Sequence, residues 1–171
     1  EELLALGKVL MDHPIYVVTD EIYERFIYDG MDHHSLVELC PGLKERTILI
    51  NGVSKTFSMT GWRIGYSAST RELAKIMGSV QSHATSNPNS IAQWASLAAV
   101  TNGYEEVEKM RNIFQERRDL AISLIEKTPG ISCVTPKGAF YIMLNISEAF
   151  GKSYEGKVIE GSLDYCDMLL Q

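Results

Sequence analysis

Closely spaced cysteines are missing from this chain of 171 residues. Its three cysteines, Cys40, Cys133 and Cys166, lie far apart and form no CxxC pair, so the sequence indicates neither a disulfide framework nor a zinc site. We therefore expect reduced and mostly buried thiols, as in a cytoplasmic protein.

Long apolar runs and an excess of positive charge are missing as well. No apolar run approaches the roughly 18 residues that a membrane span needs. Acidic residues outnumber basic ones by 22 to 16, which gives a formal net charge of −6. Because nucleic acids and anionic membranes bind to basic surfaces, we expect neither as a partner. A single phosphate site is compatible with this balance, since one arginine and one lysine can form it.

The hydrophobic pattern predicts an α/β arrangement that starts with an amphipathic helix over residues 1–12, with Leu3, Leu6 and Leu10 on its buried stripe. The other predicted elements are strands at 15–19, 47–50 and 62–68, helices around 73–80, 89–100 and 104–127, short strands at 132–134 and 139–143, and a helix that begins near residue 161. The first two strands are apolar and β-branched, which predicts burial on both faces. The helix at 89–100 is apolar almost all round and is predicted to be buried too.

The same pattern predicts a domain boundary inside the long helix. Residues 1–105 belong to a large α/β domain and residues 106–129 form an interdomain helix. Residues 130–171 begin a smaller α+β domain that the chain does not complete.

A lysine directly after the second predicted strand is the main candidate for chemistry. Burying an ammonium group without a partner is costly, and a covalently held lysine avoids much of that cost. Eight residues later, Arg63 stands between two glycines that let its planar fork close on a bulky anion. Taken alone, Lys55 also fits an exposed loop and Arg63 a surface ion pair. A nucleotide phosphate loop is excluded, because Ser54 and Leu49 stand where that motif requires glycine.

Residues 52–65, Gly-Val-Ser-Lys-Thr-Phe-Ser-Met-Thr-Gly-Trp-Arg-Ile-Gly, resemble the lysine signature of class I aminotransferases, which depend on pyridoxal 5′-phosphate (PLP). Residues 20–23, Asp-Glu-Ile-Tyr, resemble the Asp-x-x-Tyr motif of the same family. Residues 136–141 resemble the turn and strand that open its small domain, and residues 86–93 a segment that approaches the partner subunit. The resemblance spans essentially the whole chain and is greatest to the prokaryotic aspartate and aromatic aminotransferases of fold type I.

The resemblance implies a mainly parallel sheet in a large PLP-binding domain, residues 1–105, and a role for each motif residue. Lys55 would hold the cofactor as a Schiff base and then act as the base and acid of proton transfer. Asp20 would pair with the protonated pyridine nitrogen, and Tyr23 would hydrogen-bond the ring oxygen. Asp20 could instead cap the turn that follows it, and Tyr23 could be an ordinary half-buried tyrosine.

The phosphate of the cofactor has two candidate ligands in this reading. Arg63 would neutralise it, with help from a nearby helix N-terminus. Ser54 is the candidate for a second contact. In some relatives a serine lies three residues before the lysine, but this chain has Gly52 there.

The implied function is transamination between an amino acid of aspartate or aromatic type and a 2-oxo acid, by a cytoplasmic homodimer. A carbon–sulfur lyase, a cyclopropane-forming synthase and a PLP-binding regulatory domain are the alternatives on the same scaffold. The family's arginine for the substrate carboxylate has no counterpart in a matching motif here. We therefore expect the chain to be an internal fragment, and residues 1–171 alone to be inactive.

Three other conspicuous groups are predicted to have no part in the chemistry. His33 and His34, near Asp29 and Asp32, could suggest a metal site, but no regular spacing brings them together. We predict a solvated loop there and no metal. Trp62 and Trp94 are predicted to be core residues.

Overall fold

A three-stranded mixed sheet organises the first part of the chain in the computed structural model, which describes residues 1–170. Strand β1 (Val17–Asp20) pairs in parallel with β2 (Thr47–Gly52), and β3 (Gly65–Ala68) pairs with β2 in the antiparallel direction. The long connection between β1 and β2 allows a parallel pair, and the short loop before β3 suits an antiparallel one.

Strand β2 extends two residues further than the sequence predicts. Its last residues, Asn51 and Gly52, were expected to break the strand, but they pair with Tyr66 and Gly65 of β3. The partner strand therefore outweighs the weak strand propensity of an Asn-Gly pair. As a result β2 projects beyond Asp20, the last residue of β1, which pairs with Ile50.

Helices and turns connect these strands within the first of two compact units, Glu1–Arg111. The helices are α1 (Glu2–Met11), α2 (Leu36–Leu39), α3 (Val53–Thr56), α4 (Arg71–Ala84), α5 (Ser90–Asn102) and the first part of α6 (Tyr104–Ile125), with 3₁₀ turns at Pro41–Arg46 and Thr60–Trp62. Asn89 caps α5, because its side-chain oxygen accepts a hydrogen bond from the Ala92 backbone at 3.0 Å. No helix among residues 1–170 is both long and apolar enough to cross a membrane.

A small core joins α1 and α2 to the start of β1. Its buried members are Val17, Leu36, Cys40 and Leu43, and Leu3, Leu10 and Leu39 pack against them. Of the predicted α1 stripe, Leu6 is exposed and lies outside this core. Gly7 takes the contact position instead, because the α1 backbone lies directly against Cys40.

Arg46 closes the C-terminus of α1. Its Nη2 donates to the carbonyl oxygens of Leu10 at 2.9 Å and Met11 at 3.2 Å, and its Nη1 donates to the carbonyl of His13. Leu10 and Met11 end α1, so their carbonyls lack the N–H four residues further on that a continuing helix would supply, and a cation at that end is also favoured by the helix dipole. Arg46 thereby ties α1 to the segment that enters β2.

Several side chains that were predicted to be buried are exposed. Val18 of β1 is 62 % exposed, Trp94 of α5 is 73 % exposed and Trp62 is 46 % exposed. An apolar side chain is buried only where a second layer packs on it. Among residues 1–170 no layer covers the outer side of β1 or this face of α5.

The second unit, Asn112–Gln171, begins in α6. Its other elements are the antiparallel pair β4 (Ser132–Cys133) and β5 (Leu144–Asn145), the 3₁₀ turn Ser147–Ala149, the hairpin β6 (Ser153–Tyr154) and β7 (Lys157–Val158), and α7 (Ser162–Leu169). The strand predicted at 139–143 is wrong, because Ala139 has a left-handed φ of 55° that an extended strand excludes. Arg118 of α6 is buried and donates a hydrogen bond to the Pro136 carbonyl at 2.6 Å. This bond fixes the turn at Pro136, which precedes residues 139–143.

We expect Gly7→Ala to destabilise the protein. The added Cβ would overlap the Cys40 sulfur and lie 3.3 Å from its Cβ. Overpacking costs about 1–3 kcal/mol, more than the roughly 1 kcal/mol that alanine gains over glycine inside a helix. Gly78→Ala in α4 is the matched control, since a Cβ there meets nothing within 4 Å. Urea unfolding of the full-length protein should show a lower midpoint for Gly7→Ala and an equal or higher one for Gly78→Ala. A higher midpoint for both would contradict this packing.

Candidate active site

The carboxyl ends of β1 and β2 meet at one edge of the sheet and bring three of the predicted site residues there. Asp20 is the last residue of β1. Strand β2 ends at Gly52, and the short helix α3 that follows carries Ser54 and Lys55. Because the two strands are parallel, both carboxyl ends lie at the same edge of the sheet, and α/β proteins bind their ligands at such edges.

Tyr23 and Lys55 lie beside each other at this edge. The Lys55 Nζ is 6.0 Å from the centre of the Tyr23 ring, which is within the range of a cation–π interaction. Tyr23 belongs to the turn that follows β1, in which the Phe26 backbone N–H donates to the Tyr23 carbonyl at 2.9 Å. Residues from both parallel strand ends therefore converge on the lysine.

The Asp20 carboxylate caps the turn that follows it. Its Oδ1 accepts a hydrogen bond from the Ile22 backbone N–H at 3.1 Å. The capping role considered for this residue is therefore present. The side chain can accept further hydrogen bonds, because an ionised carboxylate has about four acceptor positions. Asp20 is exposed at the edge of the sheet and can accept from a ligand as well.

The connection from β2 to α3 leaves no room for a side chain at position 52. A Cβ on Gly52 would lie 2.9 Å from the Ile64 carbonyl oxygen, 3.1 Å from the Gly65 Cα and 3.3 Å from the Ile22 Cδ1. The Gly52 backbone is extended, with φ of 179°, so space and not conformation requires the glycine. The serine that some relatives carry at this position therefore does not fit here, and half-buried Ser54 remains the candidate hydroxyl.

Arg63 lines an open cleft of about 940 Å³. The cleft lies between residues 61–65 and the start of α5, and Asn87 and Asn89 also line it. Arg63 Nη1 donates to the Thr60 carbonyl at 2.8 Å, which uses one of the five N–H donors of a guanidinium. Its backbone is left-handed, with φ of 56° and ψ of 44°, a conformation that costs a residue other than glycine about 1–2 kcal/mol.

An aromatic contact that the sequence analysis missed holds the chain just after Lys55. Phe57 packs edge-on against Tyr104 of α6, with ring centres 5.6 Å apart, and Arg25 lies 4.9 Å above the Tyr104 ring. A Cβ on Gly103 would lie 3.0 Å from the Phe57 ring, so the glycine permits this close approach. The sequence feature that could have indicated this contact is the Gly103-Tyr104 pair at the junction of helices α5 and α6.

Tyr66 of β3 has a phenol whose pKa differs clearly from the ordinary value. Partial burial raises the pKa of its phenol above the ordinary value, and the negative charge of Glu24 raises that pKa further. The phenol therefore stays protonated at neutral pH and acts as a neutral hydrogen-bonding group.

His33 is held in place, in contrast to the predicted solvated loop. Its Nε2 lies 2.9 Å from an Oε2 of Glu21, whose side chain is 7 % exposed. The sequence analysis missed this contact because it joins residues 12 positions apart. Glu21, Glu24 and His33 also bring potential metal-ligand atoms within 4.8 Å of one another.

We expect Gly52→Ala to loosen the pairing of β2 with β3. The new Cβ would push against the Ile64 carbonyl and Gly65, so the strand ends must separate. Hydrogen exchange of the full-length protein should become faster at residues 49–52 and 65–68. Gly61→Ala, at a position where a Cβ meets nothing within 4 Å, should leave these amides unchanged. Equal hydrogen-exchange rates in both variants would show that the junction can accommodate a Cβ at position 52.

Comparison with known proteins gives a consistent family. Residues 1–164 match the model for aminotransferase class I and II. The aspartate aminotransferase of Geobacillus stearothermophilus is 50 % identical over 149 residues, which are 87 % of this chain and 38 % of that protein. The aspartate/prephenate aminotransferase of Cereibacter sphaeroides is 46 % identical over 156 residues, or 91 % and 39 % of the two chains.

The crystal structure of an aspartate aminotransferase from Rhizobium meliloti superposes with a TM-score of 0.92 at 42 % identity, over 96 % of this chain and 42 % of that one. The α/β fold is therefore that of the aspartate aminotransferases, fold type I, as the sequence indicated. The chain spans about two fifths of the length of these relatives. By the family match and these identities, the chain belongs to the class I and II aminotransferases.

Proposed function

We propose that the protein containing this chain is a PLP-dependent aminotransferase, with Lys55 as the residue that holds the cofactor. The observation that carries the proposal is the position of Lys55, whose Nζ lies 6.0 Å from the Tyr23 ring at the edge where β1 ends in Asp20. Relatives named aspartate or aspartate/prephenate aminotransferase, at 40–50 % identity, support transamination.

The donor set of this chain fits the three reactive parts of PLP. An amine suits its aldehyde, a carboxylate suits its pyridine nitrogen, and a guanidinium suits its phosphate. Lys55, Asp20 and Arg63 supply these groups in turn. When bound, the cofactor supplies an electron sink for the substrate carbon.

Asp20 would hold a proton on the pyridine nitrogen. A carboxylate within hydrogen-bonding distance favours the protonated, positively charged form of a ring nitrogen. The bond from the Ile22 backbone to Asp20 Oδ1 limits rotation of the carboxylate, so its second oxygen can keep one direction. Asp20 would thereby serve both the turn and the ligand.

Lys55 would have two consecutive tasks at one atom. Its Nζ would hold the cofactor covalently until a substrate amine takes its place. The freed amine would then be the group that accepts a proton from the substrate carbon and donates it to the carbon that becomes protonated next. The β2–α3 junction and the Phe57 contact restrict the backbone on both sides of the lysine, which favours accurate transfer.

Arg63 and Ser54 would bind the phosphate. Arg63 is exposed, lines an open cleft and keeps donors beyond its bond to Thr60. Its left-handed backbone fits this role, because strain of this kind is common at ligand sites. The start of α5 lies at the same cleft and would add backbone N–H groups for an anion.

The remaining parts of the proposal concern substrate, assembly and location. Aspartate is the favoured amino acid, because the relatives quoted above carry that name, and a 2-oxo acid is its partner substrate. A homodimer is supported by the exposed apolar face of α5, which follows the segment that resembles a partner-contacting region. We place the enzyme in the cytoplasm, in line with its free cysteines.

Reduction with borohydride in the presence of PLP should fix the pyridoxyl group on Lys55 of the full-length protein. Peptide mapping by mass spectrometry locates the label. Lys55→Arg should abolish both labelling and the conversion of aspartate with 2-oxoglutarate. Lys75→Arg, which changes an exposed lysine of α4 in the same way, should leave both intact. Label on a different lysine would refute the proposal.

Arg63→Asn should weaken binding of the cofactor phosphate without lowering the stability of the fold. Asparagine tolerates the left-handed backbone well, so the unfolding midpoint should not fall. Loss of charged hydrogen bonds costs about 1.5–3 kcal/mol, so PLP should bind roughly 10- to 150-fold more weakly. Pyridoxal, which lacks the phosphate, should bind equally to the variant and the original protein. An equal loss for both ligands would mean that Arg63 does not contact the phosphate.

A further inference from the structure

Glu21 is a buried carboxylate for which the proposed reaction has no use. It follows Asp20 in the chain, and its side chain is 7 % exposed. Its Oε1 accepts a hydrogen bond from the Ser35 hydroxyl at 2.7 Å and lies 3.4 Å from the Thr19 hydroxyl. Its Oε2 lies 2.9 Å from His33 Nε2. The side chain is therefore surrounded by donors.

The donors explain how a carboxylate can be buried here. Removing an ionised carboxylate from water is strongly unfavourable unless hydrogen bonds replace the lost hydration. A carboxylate only accepts hydrogen bonds, so the Ser35 hydroxyl donates to Glu21, and His33 donates to it in the tautomer that carries its hydrogen on Nε2. Two of the three donors come from the loop before α2, so the network joins that loop to the end of β1.

The backbone of Glu21 is fixed to the sheet as well. Its N–H donates to the Ile50 carbonyl at 2.9 Å, which extends the ladder between β1 and β2 one step beyond Asp20. Side chains of successive residues in a strand point to opposite sides. The buried Glu21 side chain therefore leaves the strand end on the side opposite to the exposed Asp20 carboxylate.

We propose that Glu21, His33 and Ser35 form a positioning clamp for Asp20. This inference rests on the proposed function, in which Asp20 holds the pyridine nitrogen of the cofactor. Asp20 is the last residue of its strand, where the chain turns away and the ladder can fray. Catalysis is sensitive to displacements of about 1 Å, so anchoring the next residue from behind keeps the carboxylate in line.

A metal ion at Glu21, Glu24 and His33 is the competing reading of the same residues. Two ligands of one tetrahedral zinc ion stand roughly 3.3 Å apart, given metal–ligand distances of about 2.0–2.1 Å. The 2.9 Å between Glu21 and His33 is a hydrogen-bond distance instead. Glu24, the third member, lies 3.5 Å from the Arg25 guanidinium, which occupies its carboxylate. The geometry thus favours the clamp.

The test uses His33→Asn and Ser35→Ala in the full-length holoenzyme, with His34→Asn as the matched control in the same loop. The reaction is aspartate with 2-oxoglutarate, followed by kcat and KM, and the ¹⁵N chemical shift of labelled cofactor reports protonation of its pyridine nitrogen. Each clamp variant should lower kcat on the order of tenfold, up to about 10²-fold, with KM little changed. The nitrogen signal should move toward the unprotonated position, and His34→Asn should change nothing.

A double-mutant cycle with Asp20→Asn separates positioning from a general structural effect. If the clamp acts through Asp20, adding His33→Asn to Asp20→Asn should cause little further loss in the half-reaction with aspartate. The same fold-loss in both backgrounds would overturn the clamp. The clamp would also be overturned if a chelator removed the activity of the original protein and zinc restored it, because that result assigns the cluster to a metal. If the original protein does not transaminate at all, the proposed function fails. If it does and the clamp variants match it, only the clamp fails.

Discussion

The parallel pairing of β1 with β2 is the constraint on which the candidate site depends. Asp20 and Lys55 are 35 positions apart in the sequence, and an antiparallel pair would send the ends that carry them to opposite edges of the sheet. With Val17 opposite Thr47 and Asp20 opposite Ile50, both carboxyl ends reach one edge. The rest of the site then needs only short local structure, namely the turn that carries Tyr23 and the helix that carries Lys55.

That local structure is tight where Lys55 is placed. Gly52 allows β2 to pass within contact distance of the Ile64 carbonyl, and Phe57 anchors the chain beyond the lysine on Tyr104. The end of β1 has a different support, the hydrogen-bonded Glu21 side chain behind it. Well-supported backbone at both strand ends suits the proposed reaction, in which one nitrogen atom would move a proton.

The sequence predicted the parts of this arrangement that depend on local pattern. The apolar runs predicted strands β1, β2 and β3, and the lysine signature with the Asp-x-x-Tyr motif predicted that Asp20 and Lys55 belong to one site. It could not predict contacts between distant residues, such as His33 with Glu21. It also placed Trp94 in the core, because an apolar helix predicts a covering layer but does not say which part of a chain supplies it. The strand expected at 139–143 is wrong for a third reason. Ala139 has a left-handed backbone, and the residue type alanine does not indicate that conformation.

The most direct test of the account is a crystal structure of the full-length protein with PLP. The account predicts a covalent bond between Lys55 Nζ and the cofactor, and an Asp20 oxygen about 2.7–3.0 Å from the pyridine nitrogen. Asp20 should keep its bond to the Ile22 backbone at the same time. A cofactor bound elsewhere, or a pyridine nitrogen that contacts water or another residue while Asp20 only caps its turn, would contradict the central claim.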